Sequence, residues 1–142
     1  MSHRKTDSGS TIESWLVSAG RAREPGTPLN VPLIAASNYH LGEQRSYSRD
    51  DSTATWEALE EIVGGLEGGS AVAFASGMAA IAAVFELLPA HSLITLPDDC
   101  YQGVVGLAER GQRQGRWRVN RLRVDDTAAW FRACSESDLI WL

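Results

Sequence analysis

Lysine is almost missing from this chain. Of its 13 basic residues only Lys5 is not an arginine, and it stands in the polar first ten residues. Chemistry that needs a buried amine is therefore hard to perform with these 142 residues. Excess positive charge is missing too: 18 acidic residues give a formal net charge of −5, which argues against a general nucleic-acid or anionic-membrane binder. Two cysteines, Cys100 and Cys134, are too few for a disulfide framework, so reduced thiols in a cytoplasmic protein are expected. Met1 to Ser10 has no apolar core of a secretory signal. The longest apolar stretch, Ala71 to Leu88, nears membrane-spanning length, but Ser76-Gly77 interrupts it and Glu86 sits near its end. The glycines from Gly64 to Gly69 are not followed by Gly-Lys-Ser/Thr, so they form no Walker A loop. His3, His40 and His91 stand apart and support no metal site.

What is present reads as an α/β pattern. The first ten residues are expected to be a disordered tail. Thr11 to Ala22 is expected to hold a short helix, with Ile12, Trp15, Leu16 and Ala19 on one face. Glu24 to Asn38 carries Pro25, Pro28 and Pro32 and reads as an extended arm, and Tyr39 to Thr55 as a polar loop. The spacing of Trp56, Leu59, Ile62, Val63 and Leu66 predicts a helix ended by Gly68-Gly69. There follow a short strand over 70–75, a helix over 78–88 buried on most faces, and a strand over 92–96. A helix is expected over 101–113, a strand over 117–124, a helix over 127–134 capped by Asp126, and a strand over 139–142. Strands alternating with helices imply a largely parallel sheet covered on both faces. The five tryptophans fall mostly on apolar faces and read as core or interface.

Three places carry chemistry. Phe74-Ala75-Ser76-Gly77-Met78-Ala79-Ala80 reads as a strand, a tight turn and a helix whose first free amides belong to Gly77 and Met78. Such helix starts attract phosphate, though a plain strand-to-helix turn has the same sequence. Tyr47-Ser48-Arg49 offers a guanidinium fork and a phenol, or simply a solvated loop. Tyr101, after Asp99-Cys100 at a strand end, can stack on a planar ring or be a half-buried core residue.

Taken in order, Tyr47-Ser48-Arg49, Leu59-Glu60, Leu66-Glu67-Gly68-Gly69, Ala75-Ser76-Gly77-Met78-Ala79-Ala80 and Asp99-Cys100-Tyr101-Gln102-Gly103 resemble the trans-sulfuration enzymes. These are the pyridoxal 5'-phosphate (PLP) enzymes of cysteine and methionine metabolism, such as cystathionine gamma-synthase and gamma-lyase. The resemblance covers the N-terminal portion of the family, from about Pro32 to Leu142. It implies part of the large domain of a fold-type-I PLP-dependent transferase over 56–142, preceded by an N-terminal helix and arm over 11–55. It also implies beta- or gamma-elimination or replacement on a sulfur-containing amino acid, and a homo-oligomer, in the family a dimer of dimers. Gly77 and Met78 would hold the cofactor phosphate by their amides, and Tyr101 would stack on the pyridine ring. Tyr47 and Arg49 would reach the phosphate in the neighbouring subunit.

Two departures stand out. The family's Asn-Pro-Thr after the arginine is replaced by the run Asp51-Ser52-Thr53-Ala54-Thr55, and Gly-Gly-Thr after the tyrosine by Gln102-Gly103-Val104. The chain stops inside the apolar run Leu139-Ile140-Trp141-Leu142, which reads as a truncation. The family's Schiff-base lysine, pyridine-nitrogen aspartate and substrate-carboxylate arginine all lie further along. The 142 residues by themselves are therefore expected to be inactive. Two alternatives stay open: a shortened paralogue that acts as a non-catalytic oligomerisation or phosphate-binding module, and an unrelated α/β domain for another phosphorylated ligand.

Overall fold

The computed structural model describes residues 11–42 and 45–142, so the tail expected over 1–10 and Lys5 lie outside the described residues. Two units form, one running up to Ala73 and one from Phe74 to Leu142.

In the first unit, helix α1 (Ile12–Leu16) starts at Thr11, whose hydroxyl accepts from the Ser14 amide. It ends six residues before the expected Ala22. Gly20 explains why: its φ of +68° is left-handed, and it turns the chain where a Cβ would lie 2.9 Å from the Ala58 carbonyl oxygen. The arm over 24–38 contains no helix or strand, as its prolines require. The loop then folds into a bridge between Asn38 and Tyr47 and one short helix, α2 (Ser48–Asp51). Helix α3 (Ala54–Leu66) begins at Thr53, which is buried and whose hydroxyl accepts from the Trp56 amide. Trp15 packs on Gly65, where any side chain would collide with the indole. Helix α3 thus lies in the same compact unit as α1.

The strand expected over 70–75 is not formed. A strand needs a neighbour to take its amides and carbonyls, and no other strand of the described residues pairs with this segment. Val72 (72%) and Phe74 (46%) are exposed accordingly.

In the second unit, helix α4 (Gly77–Glu86) leads through β1 (Ser92–Pro97), α5 (Gln102–Arg113), β2 (Trp117–Leu122) and α6 (Thr127–Glu136) to β3 (Leu139–Ile140). The sheet order is β2-β1-β3 and both pairings are parallel, Ile94 lying opposite Val119 on one side and Leu139 on the other. Ile94, Thr95 and Leu96 are all buried, so β1 is covered on both faces. Ile94 and Leu96 join Phe85, Cys100, Val104, Val105, Ala108 and Trp117 in the core. Thr95 points the other way and shares a 2.7 Å hydrogen bond with the Ser137 hydroxyl. Asp126 caps α6 by accepting from the Ala129 amide, as its position predicts.

Helix α4 corrects an expectation. Its sequence predicts burial on most faces, but Phe85 is its only fully buried residue. Phe85 meets Trp117 edge to face at 5.5 Å, while Val84 and, just past the helix, Leu87 are exposed. Met78, Ala80, Ile81, Ala82 and Ala83 are half-buried, so the described residues cover α4 only in part. Of the five tryptophans only Trp117 is buried; its Nε1–H donates to the Ala108 carbonyl at 2.7 Å.

Candidate functional site

The turn into α4 leaves two backbone amides free among the described residues. Ser76 is the N-cap, and its hydroxyl accepts from the Ala79 amide at 3.2 Å. Its carbonyl takes the Ala79 and Ala80 amides. Among the described residues no acceptor takes the amides of Gly77 or Met78, so both donors are left at the positive end of a ten-residue helix. Gly77 is exposed, and space is open where its Cβ would stand.

The second unit brings Tyr101 to this helix start. Tyr101 is the N-cap of α5, and it is 65% exposed, not a core residue. A Cβ on Gly103 would lie 2.6 Å from the Met78 sulfur and 2.6 Å from Tyr101 Cε1. The thioether and the ring edge therefore meet over the same bare backbone. An anion on the Gly77 and Met78 amides and a planar group against the Tyr101 ring are compatible with one ligand, a phosphate ester of an aromatic ring. The residues present fit pyridoxal phosphate on that ground.

Tyr47 and Arg49 form a pair of their own in the first unit. The Arg49 guanidinium lies over the Tyr47 ring, 4.6 Å from its centroid. Among the described residues Arg49 has no acidic partner. The Asp51 carboxylate closes the turn beneath the pair. Its Oδ2 accepts from the Ser46 amide (2.7 Å), the Ser46 hydroxyl (3.0 Å) and the Tyr47 amide (3.0 Å). The Ser46 bonds, backbone first, hold the Asp51 carboxyl below its ordinary value; partial burial opposes them and Arg45 adds to them.

Three supporting residues escaped the sequence reading. Asp51 stood there only as a departure from a motif, although an aspartate four residues after Tyr47 can return to its amide. Ser76 carried a readable cap signal, a serine directly before the helix. Gly103 gave no signal of its own, since its role depends on two side chains that meet there in space.

A broad cleft of about 1060 Å³ lies elsewhere, in the first unit, lined by Trp15, Arg21, Arg23, Glu57, Glu60 and Glu61 among others. None of the five predicted site residues lines it. Its acids are partly used already: Glu57 pairs with Arg45, and Glu60 accepts from the Ala73 amide at 2.7 Å. Among the described residues no group of His, Cys, Asp and Glu is arranged to hold a metal ion, and no helix is long and apolar enough to cross a membrane.

The parallel α/β fold places the chain in a class, that of the fold-type-I PLP enzymes, by its likeness to their solved structures. The solved structure of cystathionine gamma-lyase from Micromonospora echinospora superposes on 94% of the chain with a TM-score of 0.77 and 30% identity. That of metB from Corynebacterium glutamicum, at 24% identity, shares the fold with a TM-score of 0.78 over 94% of the chain. The family profile described as Cys/Met metabolism PLP-dependent enzyme matches residues 13–142, and the chain belongs to that family. Cystathionine beta-lyase of Lactococcus lactis subsp. cremoris is 35% identical over 106 residues, which is 70% of this chain and 28% of that protein. For the cystathionine beta-lyase of Bacillus subtilis the figures are 36% over 99 residues, 66% and 25%. The chain thus spans about a quarter of the length of the curated relatives it matches, 28% and 25% for these two, and 37% of the two solved chains.

Proposed function

We propose that these residues form the phosphate-holding part of a PLP-dependent enzyme that acts on a sulfur-containing amino acid, by elimination or replacement of the kind cystathionine lyases and synthases perform. The observation that carries the reading is the pair of unpartnered amides at Gly77 and Met78 beside the exposed Tyr101 ring, in a chain of this family. PLP, when bound, supplies an electron sink for cleaving bonds at the amino acid's α and β carbons. The Gly77 and Met78 amides donate to its phosphate, and the positive end of α4 adds to their pull. The Tyr101 ring covers one face of the pyridine and keeps water from it. The Tyr47 hydroxyl and the Arg49 fork donate to the phosphate held by a neighbouring copy, so a homo-oligomer, a dimer of dimers, completes the site. A cytoplasmic setting is supported by two free thiols, Cys100 buried and Cys134 exposed.

These 142 residues include one lysine, Lys5, in the polar N-terminal stretch. On their own they are expected to bind PLP without a covalent link and to catalyse nothing. Titration with PLP, followed by absorption, should show no lysine-linked cofactor; such a band would refute this part of the proposal.

Phosphate recognition is tested by comparing PLP with pyridoxal, which lacks the phosphate. Tryptophan quenching should report at least about tenfold tighter binding of PLP, the worth of ~1.4 kcal/mol. Gly77→Asp should remove that advantage, because it sets a negative charge beside the free amides. The same substitution should leave the melting temperature unchanged or raised, since an acid suits the first turn of a helix and open space awaits the side chain. Equal affinities of the parent chain for both compounds would sink the reading.

A further inference from the structure

Asp51 and Ser52 stand where the family's pattern has other residues, and the structure gives them a use. The Asp51 carboxylate gathers three donors on one oxygen, and two of them, the Ser46 and Tyr47 amides, lie five and four residues back along the chain. The segment from Ser46 to Asp51 is thereby closed into a ring. Arg49 stands in the middle of that ring and Tyr47 at its start, and the guanidinium lies over the phenol. Further bonds fix the ring's near end: the Tyr39 amide donates to the Ser46 carbonyl and the Ser48 amide to the Ser37 carbonyl, at 3.0 and 2.9 Å. Thr53, buried and capping α3, fixes the far end.

Between the two anchors Ser52 has φ 66° and ψ −173°, a conformation that glycine alone adopts freely. Strain of this kind persists only where the surroundings over-determine the backbone. Here the Asp51 clamp on one side and the Thr53 cap on the other supply that constraint.

We infer that Asp51 is a positioning residue for the Tyr47–Arg49 pair: its carboxylate holds the turn in the one shape that lays the guanidinium on the phenol ring and leaves its donors free. The role of the pair in phosphate binding rests on the function proposed above, whereas the positioning itself does not.

The experiment therefore reads two things in the same variants. Proton NMR of Arg49 reports the ring-current shift that the Tyr47 ring imposes on the side chain. A PLP titration reports binding. In Asp51→Ala the ring-current shift at Arg49 should collapse while the circular dichroism spectrum stays that of the parent chain. Asp51→Asn keeps one carbonyl acceptor and should retain part of the shift, so a failure of the alanine variant to fold leaves the test intact. PLP affinity should fall at least about tenfold in Asp51→Ala, the worth of ~1.4 kcal/mol, and less in Asp51→Asn. An unchanged Arg49 shift in both variants overturns the inference, whatever happens to PLP. A lost shift with PLP binding unchanged in both Asp51→Ala and Arg49→Ala upholds the positioning role and overturns the phosphate role of the pair instead.

Discussion

Gly111 shows how much a single hydrogen atom can decide. It is buried on α5 with the Trp117 indole lying directly on it, so a methyl group at that position would occupy space the ring already fills. Gly111→Ala would gain helix propensity, worth about 1 kcal/mol. It should still destabilise, because the indole must move and break its bond to the Ala108 carbonyl; overpacking costs roughly 1–3 kcal/mol. Urea unfolding followed by tryptophan fluorescence should show a lower midpoint at unchanged slope. Charged residues give a second handle. Glu86 is held below its ordinary value first by its two-pronged bond with Arg116, and Asp125 likewise by Arg123. A carboxyl depressed in the folded state adds stability that is complete above its unfolded value and is lost as pH falls through the folded one. The melting temperature should therefore hold near neutrality and decline below about pH 4.5, the ordinary glutamate value. Glu86→Gln should flatten that decline; an equally steep acid limb in the variant would show that the pair contributes nothing.

Among the elements, β2 and β3 are the edges of the sheet, and β2 is the longer of the two. The carbonyls of Arg116 and Leu122 accept from the amides of His91 and Asp98, flanking β1, so even-numbered residues of this segment face β1 and odd-numbered ones face outward. The outward amide of Val119 does not stay free, since it donates to the Gln112 side-chain carbonyl at 2.6 Å. A glutamine from the preceding helix thus blocks the middle of an edge that would otherwise invite another strand. Gln112→Ala should raise concentration-dependent self-association in sedimentation while leaving the monomer's circular dichroism unchanged. Elements were also the scale at which the sequence was most legible. Helices α3, α5 and α6 and strands β1 and β2 stand close to where periodicity and capping residues put them, because those signals are local. The segment 70–75 misled, since its β-like run of Ala71, Val72, Ala73 and Phe74 says nothing about whether a neighbour exists to pair with it. Burial of α4 was overread for the same reason: a mostly apolar helix records what it can bury, and the described residues cover it only in part. Near the candidate site, Gly77 at a helix start and Tyr101 past a strand end stand where the sequence put them, because both positions are local. The Asp51 clamp was not legible, because bonds from a side chain to the backbone leave no period in a sequence.

At the scale of the whole molecule, one helix of the described residues carries a run of apolar side chains that face solvent. On α3, Trp56, Leu59, Val63 and Leu66 follow one another at helical spacing and all are exposed. A contiguous exposed patch of this kind binds apolar probes. The chain should enhance the fluorescence of an anilinonaphthalene dye at neutral pH, and Leu59→Glu, at a position 53% exposed, should weaken that signal without lowering the unfolding midpoint. An unaltered dye response would mean that the probe sits elsewhere. The order of the sheet has a further consequence, for the time at which it can be built. Strand β1 lies in the middle, yet both its neighbours are encoded after it, β2 some twenty residues on and β3 beyond α6. On the ribosome the central strand emerges with neither edge occupied. It gains one neighbour when Trp117 to Leu122 clears the exit tunnel and the other only when Leu139 and Ile140 do, so a pause in translation between them leaves a half-zipped sheet open to capture by a chaperone or by a second nascent chain.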